Sequence, residues 1–177
     1  VRTMLSEKLK NAINEQINAE LWSAYLYLSM SMDAEAKGYK GVANWFFVQW
    51  QEEQDHARIF MNYLNSRDEK VELKPIKEVP VAWNSVLEMF QETLKHEKVV
   101  TSLINNLAAI AAEDRDFASS NMLIWFIDEQ IEEEENARDM IFAAESVEGD
   151  KYGMYQLDKE LAARTYTQAS PLATSAE

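Results

Sequence analysis

Four long stretches of this chain place apolar residues three and four positions apart, the spacing of one helical face. Ile13, Ile17, Ala24 and Tyr27 predict a first helix of about thirty residues, from an N-cap at Thr3 or Ser6 to Gly38. After the Gly38 to Gly41 turn, Phe46, Trp50, Ala57, Phe60 and Leu64 predict a second helix that stops at the polar run "SRDEK", residues 66–70. Residues 71–80, "VELKPIKEVP", hold two of the three prolines and alternate apolar with charged, which suits an extended crossover that lets the next helix run parallel to the second. A third helix carries Trp83, Leu87, Phe90, Leu94, Thr101, Ile104 and Ala108, and the acidic break "AEDRD" separates it from a fourth with Leu123, Phe126 and Ala137. The Gly149 to Gly153 break introduces a short fifth helix to about Arg164. The small, polar tail "TYTQASPLATSAE" is expected to fray. The pattern predicts an all-α four-helix bundle with one long crossover and a short fifth C-terminal helix. Residues 1–164 form its single domain and 165–177 the tail.

Composition sharpens this picture. Only 4 Gly and 3 Pro interrupt 177 residues rich in helix formers. No apolar run of about 18 residues could span a bilayer, and no basic start with an apolar core reads as a signal peptide, so no membrane partner and a cytoplasmic location are expected. The absence of Cys fits a reducing compartment and excludes thiolate metal sites, iron–sulfur clusters and Cys nucleophiles. Any metal must be held by oxygen and imidazole. The 31 acidic against 17 basic residues, a net charge of −14, argue against nucleic acid as a partner. They leave cation binding or plain solubility.

Position separates those two. Each apolar stripe is broken near its middle by polar residues: Glu20 on the first helix, Glu53 and His56 on the second, Glu97 on the third, Gln130 on the fourth. One buried carboxylate would be an ordinary hydrogen-bonded core group. Three at the same depth of one bundle repel each other in a dry core and require positive charge between them. The spacing of Glu53 and His56 puts a carboxylate and an imidazole one turn apart on one face, able to hold the same ion. With a bridging Glu and single ligands around it, the set suits two hard cations roughly 3.5–4 Å apart, for which iron is the natural candidate.

The segments "NEQINAELWSAYLYLSM", "WQEEQDHARIFMNYL", "QETLKHEKVV" and "WFIDEQIEEEENA" resemble, in order and spacing, the four helices of prokaryotic non-haem ferritins over roughly residues 4–164. Inward Glu and Glu-x-x-His ligands are an established feature of such bundles. The resemblance implies that Glu20, Glu53 and His56 hold a first ferroxidase iron, with Glu53 bridging, and that Glu97 is a principal ligand of a second. It gives Gln130 a part in positioning oxygen or solvent, and Tyr27 a hydrogen bond near the centre with possible electron donation. It implies a third iron site made of Glu52, Glu129, Glu132 and Glu133. Glu35, Glu134, Glu135 and His96 are read as surface, and Trp125 as core.

The resemblance also implies a homo-oligomeric cage of 24 subunits that oxidises Fe(II) with oxygen or hydrogen peroxide and stores the ferric product. Haem is not expected: Gln54 stands where haem-binding relatives have Met, and "EQIE" lacks a second Glu-x-x-His. The animal-type acidic three-fold channel is not matched, since the register puts Ser120 and Leu123 there. Alternatives are a cage subunit that nucleates mineral without oxidising iron, another ferritin-like di-iron oxidase, and an unrelated acidic scaffold.

Overall fold

The computed structural model describes residues 5–173, and every regular element among them is helical: α1 (Glu7–Ala36), α2 (Lys40–Ser66), α3 (Val86–Glu113), α4 (Phe117–Ser146), α5 (Lys151–Leu161) and the single turn α6 (Ser170–Ala173). Four helices begin on side-chain caps. The Ser6 hydroxyl accepts from Leu9 N, Ser85 from Glu88 N, Asp116 from Ser119 N and Asp150 from Tyr152 N and Gly153 N, so each satisfies amides that the first helical turn leaves open. Ser6 is therefore the first cap, and Thr3 lies outside the described residues. Trp83 precedes α3 and packs against its start as a buried core residue.

The helices pair as two hairpins, α1 with α2 and α3 with α4. Between them the crossover lies along α1. Asn14 Nδ2 donates to the Lys70 carbonyl at 3.2 Å, Trp22 Nε1 to the Glu78 carbonyl at 3.2 Å, Ser29 Oγ to the Pro80 carbonyl at 2.6 Å, and Trp83 N to Asp33 Oδ2 at 3.1 Å. These anchors climb α1 in register as the crossover advances. The chain therefore returns to the end where α2 began, and α3 runs parallel to α2, as the prolines of the crossover imply. At the opposite end the Arg67 guanidinium grips both oxygens of Asp116, at 3.1 and 3.2 Å, and ties the end of α2 to the cap of α4.

The interior divides into two apolar cores. One is built around Leu9, Ile13, Ile17, Phe60, Leu64, Ile104, Leu107, Leu123 and Phe126. The other centres on Tyr27, Met30, Phe46, Met89, Phe90 and Trp45, and takes in Leu157 and Leu161 of α5. Leu123 is fully buried in the first core, so it does not line a channel as the sequence register suggests; the helical face that carries it also carries Phe126 and points inward.

The C-terminal segment differs from the frayed tail expected. Tyr166 Oη donates to Asp55 Oδ2 at 2.7 Å, Ala169 N donates to the same oxygen at 3.0 Å, and Leu172 is buried against the first core. A buried acceptor on α2 thus docks residues 166–172, a contact that local composition does not announce.

Gly41 marks where α5 meets α2. A Cβ there would lie 1.6 Å from the Asp158 carbonyl oxygen, while Asp158 Oδ1 accepts from Val42 N at 2.9 Å. Gly41→Ala is expected to push α5 off this seat and cost about 1–3 kcal/mol. Urea unfolding and proteolysis between α4 and α5 measure it; unchanged stability and cleavage would contradict the close approach.

Candidate metal centre

Between the two apolar cores lies a layer of buried polar groups. Glu20, Glu53, His56, Glu97, Gln130 and Glu133 are each at most 5% exposed, and each arises on a helical face whose flanking turns are apolar. Three groups of ligand atoms come within 4.8 Å of one another: Glu20, Glu53 and His56; Glu53, Glu97 and Glu133; and, at the edge, His56, Glu129 and Glu133. Glu53 belongs to the two inner groups, and Glu133 links the second to the outer one.

Hydrogen bonds fix much of this layer. His56 Nδ1 lies 3.2 Å from Glu53 Oε2 and 3.8 Å from Glu20 Oε2, and Nε2 lies 3.7 Å from Glu129 Oε1. Gln16 Nε2 donates to Glu20 Oε1 at 2.9 Å, Gln49 Nε2 donates to Glu133 Oε2 at 2.6 Å, and Gln130 Nε2 donates to Glu97 Oε2 at 3.1 Å. Tyr27 Oη donates to Glu97 Oε1. Among the described residues no lysine or arginine is ion-paired with Glu20, Glu53, Glu97 or Glu133, and the second oxygen of Glu20 is buried without a hydrogen-bond partner. An orphaned carboxylate oxygen in a dry layer of hard donors fits a cation.

The protonation balance carries the same strain. Burial, with the charges of Glu97 and Glu20 adding to it, drives Glu53 well above the ordinary carboxylate range against the pull of His56. Burial, reinforced by Glu97, does the same to Glu133. Glu97 is pushed by burial to about 7. For Glu20 burial is outweighed by its contacts with His56, which hold it low, and for His56 burial is outweighed by Glu53 and the neighbouring carboxylates, which hold it high. Without a metal, the layer lacks enough positive charge for its acids.

Of the residues expected from the sequence, Glu20, Glu53, His56, Glu97, Glu129 and Glu133 come together, with Gln130 and Tyr27 bonded to Glu97. Two do not join these groups. Glu52 is turned to Arg164 at 2.9 Å, and Glu132 is exposed because it falls off the inward line of α4 that Phe126, Gln130, Glu133 and Ala137 define. Two surface assignments are also corrected. His96 is largely enclosed: its Nε2 lies 2.7 Å from Ser23 Oγ, its ring lies between Trp22 and Tyr27, and burial lowers it to about 4. Glu134 is half-buried and accepts from Thr101 Oγ1 at 2.8 Å, whereas Glu35 and Glu135 are exposed as read. Trp125 is half-buried and meets His56 edge-on, 5.5 Å between ring centres.

Sequence reasoning passed over Gln16 and Gln49. Both stand four residues before an inward Glu and are buried, at 3% and 1% exposure. That spacing is the available signal, since i and i+4 share a helical face.

Known proteins resemble this chain over most of its length. Residues 10–146 match the family model for the ferritin-like domain. The chain is 41% identical over 161 residues to a bacterial non-haem ferritin of Bacteroides fragilis, covering 91% of this chain and all of that one. It is 36% identical over 165 residues to the Staphylococcus aureus counterpart, covering 93% of this chain and 99% of that one. Among solved structures it resembles the open-pore ferritin of Archaeoglobus fulgidus, with a TM-score of 0.90 and 42% identity over 91% of this chain and 99% of that one.

Glu97 gives a pH test. Its pKa rises from 4.5 unfolded to about 7 folded, so the folded metal-free protein binds this proton more tightly. The stabilising effect is complete below the unfolded pKa and disappears as pH rises through about 7, on the order of 3 kcal/mol in all. Glu97→Gln should flatten the decline in metal-free stability between pH 5 and pH 8 while weakening metal binding. Urea midpoints at the two pH values measure the difference, and a decline as steep as that of the unsubstituted chain would contradict the assignment.

Proposed function

The chain belongs to the ferritin-like family in its bacterial non-haem form, the iron-storage ferritins, and from that premise we propose that it oxidises Fe(II) as substrate within the bundle and stores the ferric product inside a hollow assembly of its own copies. The observation that carries this reading is the sharing of Glu53 between two buried ligand groups that no Lys or Arg among the described residues neutralises.

In this reading Glu20 and His56 hold one Fe(II), Glu97 and Glu133 hold the other, and the Glu53 carboxylate contacts both. Each Fe(II) gives up one electron. Molecular oxygen accepts the pair with two protons and leaves as hydrogen peroxide; when peroxide is the oxidant, the same two electrons and two protons convert it to two waters. Gln130 and Tyr27 hold Glu97 in place through hydrogen bonds, and Gln16 does the same for Glu20. The amides and phenol orient the acids without cancelling their charge. In the same reading a third, weaker iron binds at the outer group, where Glu129 and Glu133 meet His56; Glu52 faces Arg164 beside it and Glu132 points to solvent.

Assembly into a 24-subunit cage, with α5 around the four-fold axes, is the form the family implies. An apolar stripe on α4 supports burial against other copies: Phe117, Ile124, Ile131 and Phe142 recur on one face and are 79%, 55%, 63% and 73% exposed in the single chain. The absence of Cys supports a cytoplasmic setting.

Anaerobic titration with Fe(II) should reveal two tight equivalents per chain and a weaker third. Oxygen admitted in stopped flow should then oxidise the first two rapidly, and Glu53→Ala should slow that phase by more than about tenfold, since one substitution removes a ligand from both ions. Tight binding without rapid oxidation would favour a subunit that only nucleates mineral. No tight binding would overturn the metal reading.

A further inference from the structure

Arg164, just beyond α5, has its guanidinium committed to one spot on α2. Nη1 donates to the Trp45 carbonyl at 3.0 Å, and Nη2 donates to Gln49 Oε1 and to Glu52 Oε2, each at 2.9 Å. The group also lies 4.4 Å over the Trp45 ring. The backbone around it is fastened too, with Asn44 Nδ2 donating to the Arg164 carbonyl at 2.9 Å and Asp55 holding Tyr166 and Ala169 further on. Residues 164–172 therefore form a strap along one side of α2.

The strap lies beside the metal centre. Glu52 stands four residues before His56 on α2, so the two share a helical face at the edge of the outer ligand group, yet Glu52 is absent from that group. Its carboxylate faces the guanidinium instead. Both side chains of the pair are only partly covered, 21% exposed for Arg164 and 25% for Glu52, so the carboxylate has room to rotate. A carboxylate swung off Arg164 would join the His56, Glu129 and Glu133 side of the centre. The inner groups, built from Glu20, Glu53, His56, Glu97 and Glu133, do not use Glu52.

We propose that Arg164 is a positioning residue that governs the outer metal site by competing for Glu52: the strap-borne guanidinium and a third metal ion claim the same carboxylate. This rests on the reading of the inner groups as metal sites. It adds that the C-terminal strap, and not the acidic run on α4 alone, sets how strongly the third ion is held. Loosening the strap strengthens the outer site and leaves the inner pair alone. A merely structural Arg164 would alter stability and not the third equivalent.

The test uses Co(II), a divalent probe that oxygen leaves unchanged under these conditions, titrated into the full metal-free chain by calorimetry. The unsubstituted protein should show two tight equivalents and a weaker third. Arg164→Met should tighten the third by about tenfold, equivalent to ~1.4 kcal/mol, with the first two unchanged. Arg164→Lys, which keeps a charge but lacks the fork that reaches Gln49 and Glu52 together, should give a smaller gain in the same direction and serves if the Met variant folds poorly. Adding Glu52→Gln to either variant should abolish the gain. A third equivalent of unchanged affinity in both Arg164 variants, or a gain that survives Glu52→Gln, overturns the proposal. Loss of the two tight equivalents in the unsubstituted chain would instead overturn the inner sites on which it rests.

Discussion

Four carboxylates and one imidazole enclosed between two apolar cores set the terms for the rest of this structure. Glu20, Glu53, Glu97 and Glu133 share one layer with His56, and the neighbours that touch them are mostly neutral donors: Gln16, Gln49, Gln130 and Tyr27. Such donors fix the orientation of an acid while leaving its charge in place. The layer therefore favours either protons or metal cations, and the upward shifts of Glu53, Glu97 and Glu133 are the proton side of that alternative.

The bundle around the layer is arranged to hold it still. Phe60 and Phe126 stack on one side, 4.1 Å between ring centres, and Phe46 and Phe90 stack on the other at 5.3 Å. Large buried side chains thus pack against the layer from both ends of the bundle. The crossover serves the same end. By lying along α1 it brings α3 back parallel to α2, which places Glu97 opposite Glu53.

The four helices were legible because their apolar spacing is long and regular, and Glu20, Glu53, His56 and Glu97 because each breaks an apolar stripe at the same depth; Glu133 was expected only at the third site and also lies beside Glu53 and Glu97. Gln130 and Tyr27, named from the resemblance, both hydrogen-bond to Glu97. The parts that local pattern did not disclose depend on partners distant in sequence. Asp55 looks like an ordinary polar helix residue until Tyr166 and Ala169 reach it across more than a hundred residues. His96 sits next to Glu97 but on a different face, and only the approach of Trp22 and Ser23 from α1 encloses it. Glu52 and Glu132 were assigned to the third site by resemblance, yet a guanidinium from beyond α5 takes one and solvent takes the other.

The central claim is that the buried acids of this layer are shared by two iron ions rather than by protons or by unseen cationic side chains. Crystals soaked with Fe(II) and measured on both sides of the iron absorption edge test it most directly. The account predicts two anomalous peaks inside each bundle, one against Glu20 and His56 and one against Glu97, with the Glu53 carboxylate touching both. Peaks confined to exposed acids, with none among Glu20, Glu53, His56 and Glu97, would contradict it.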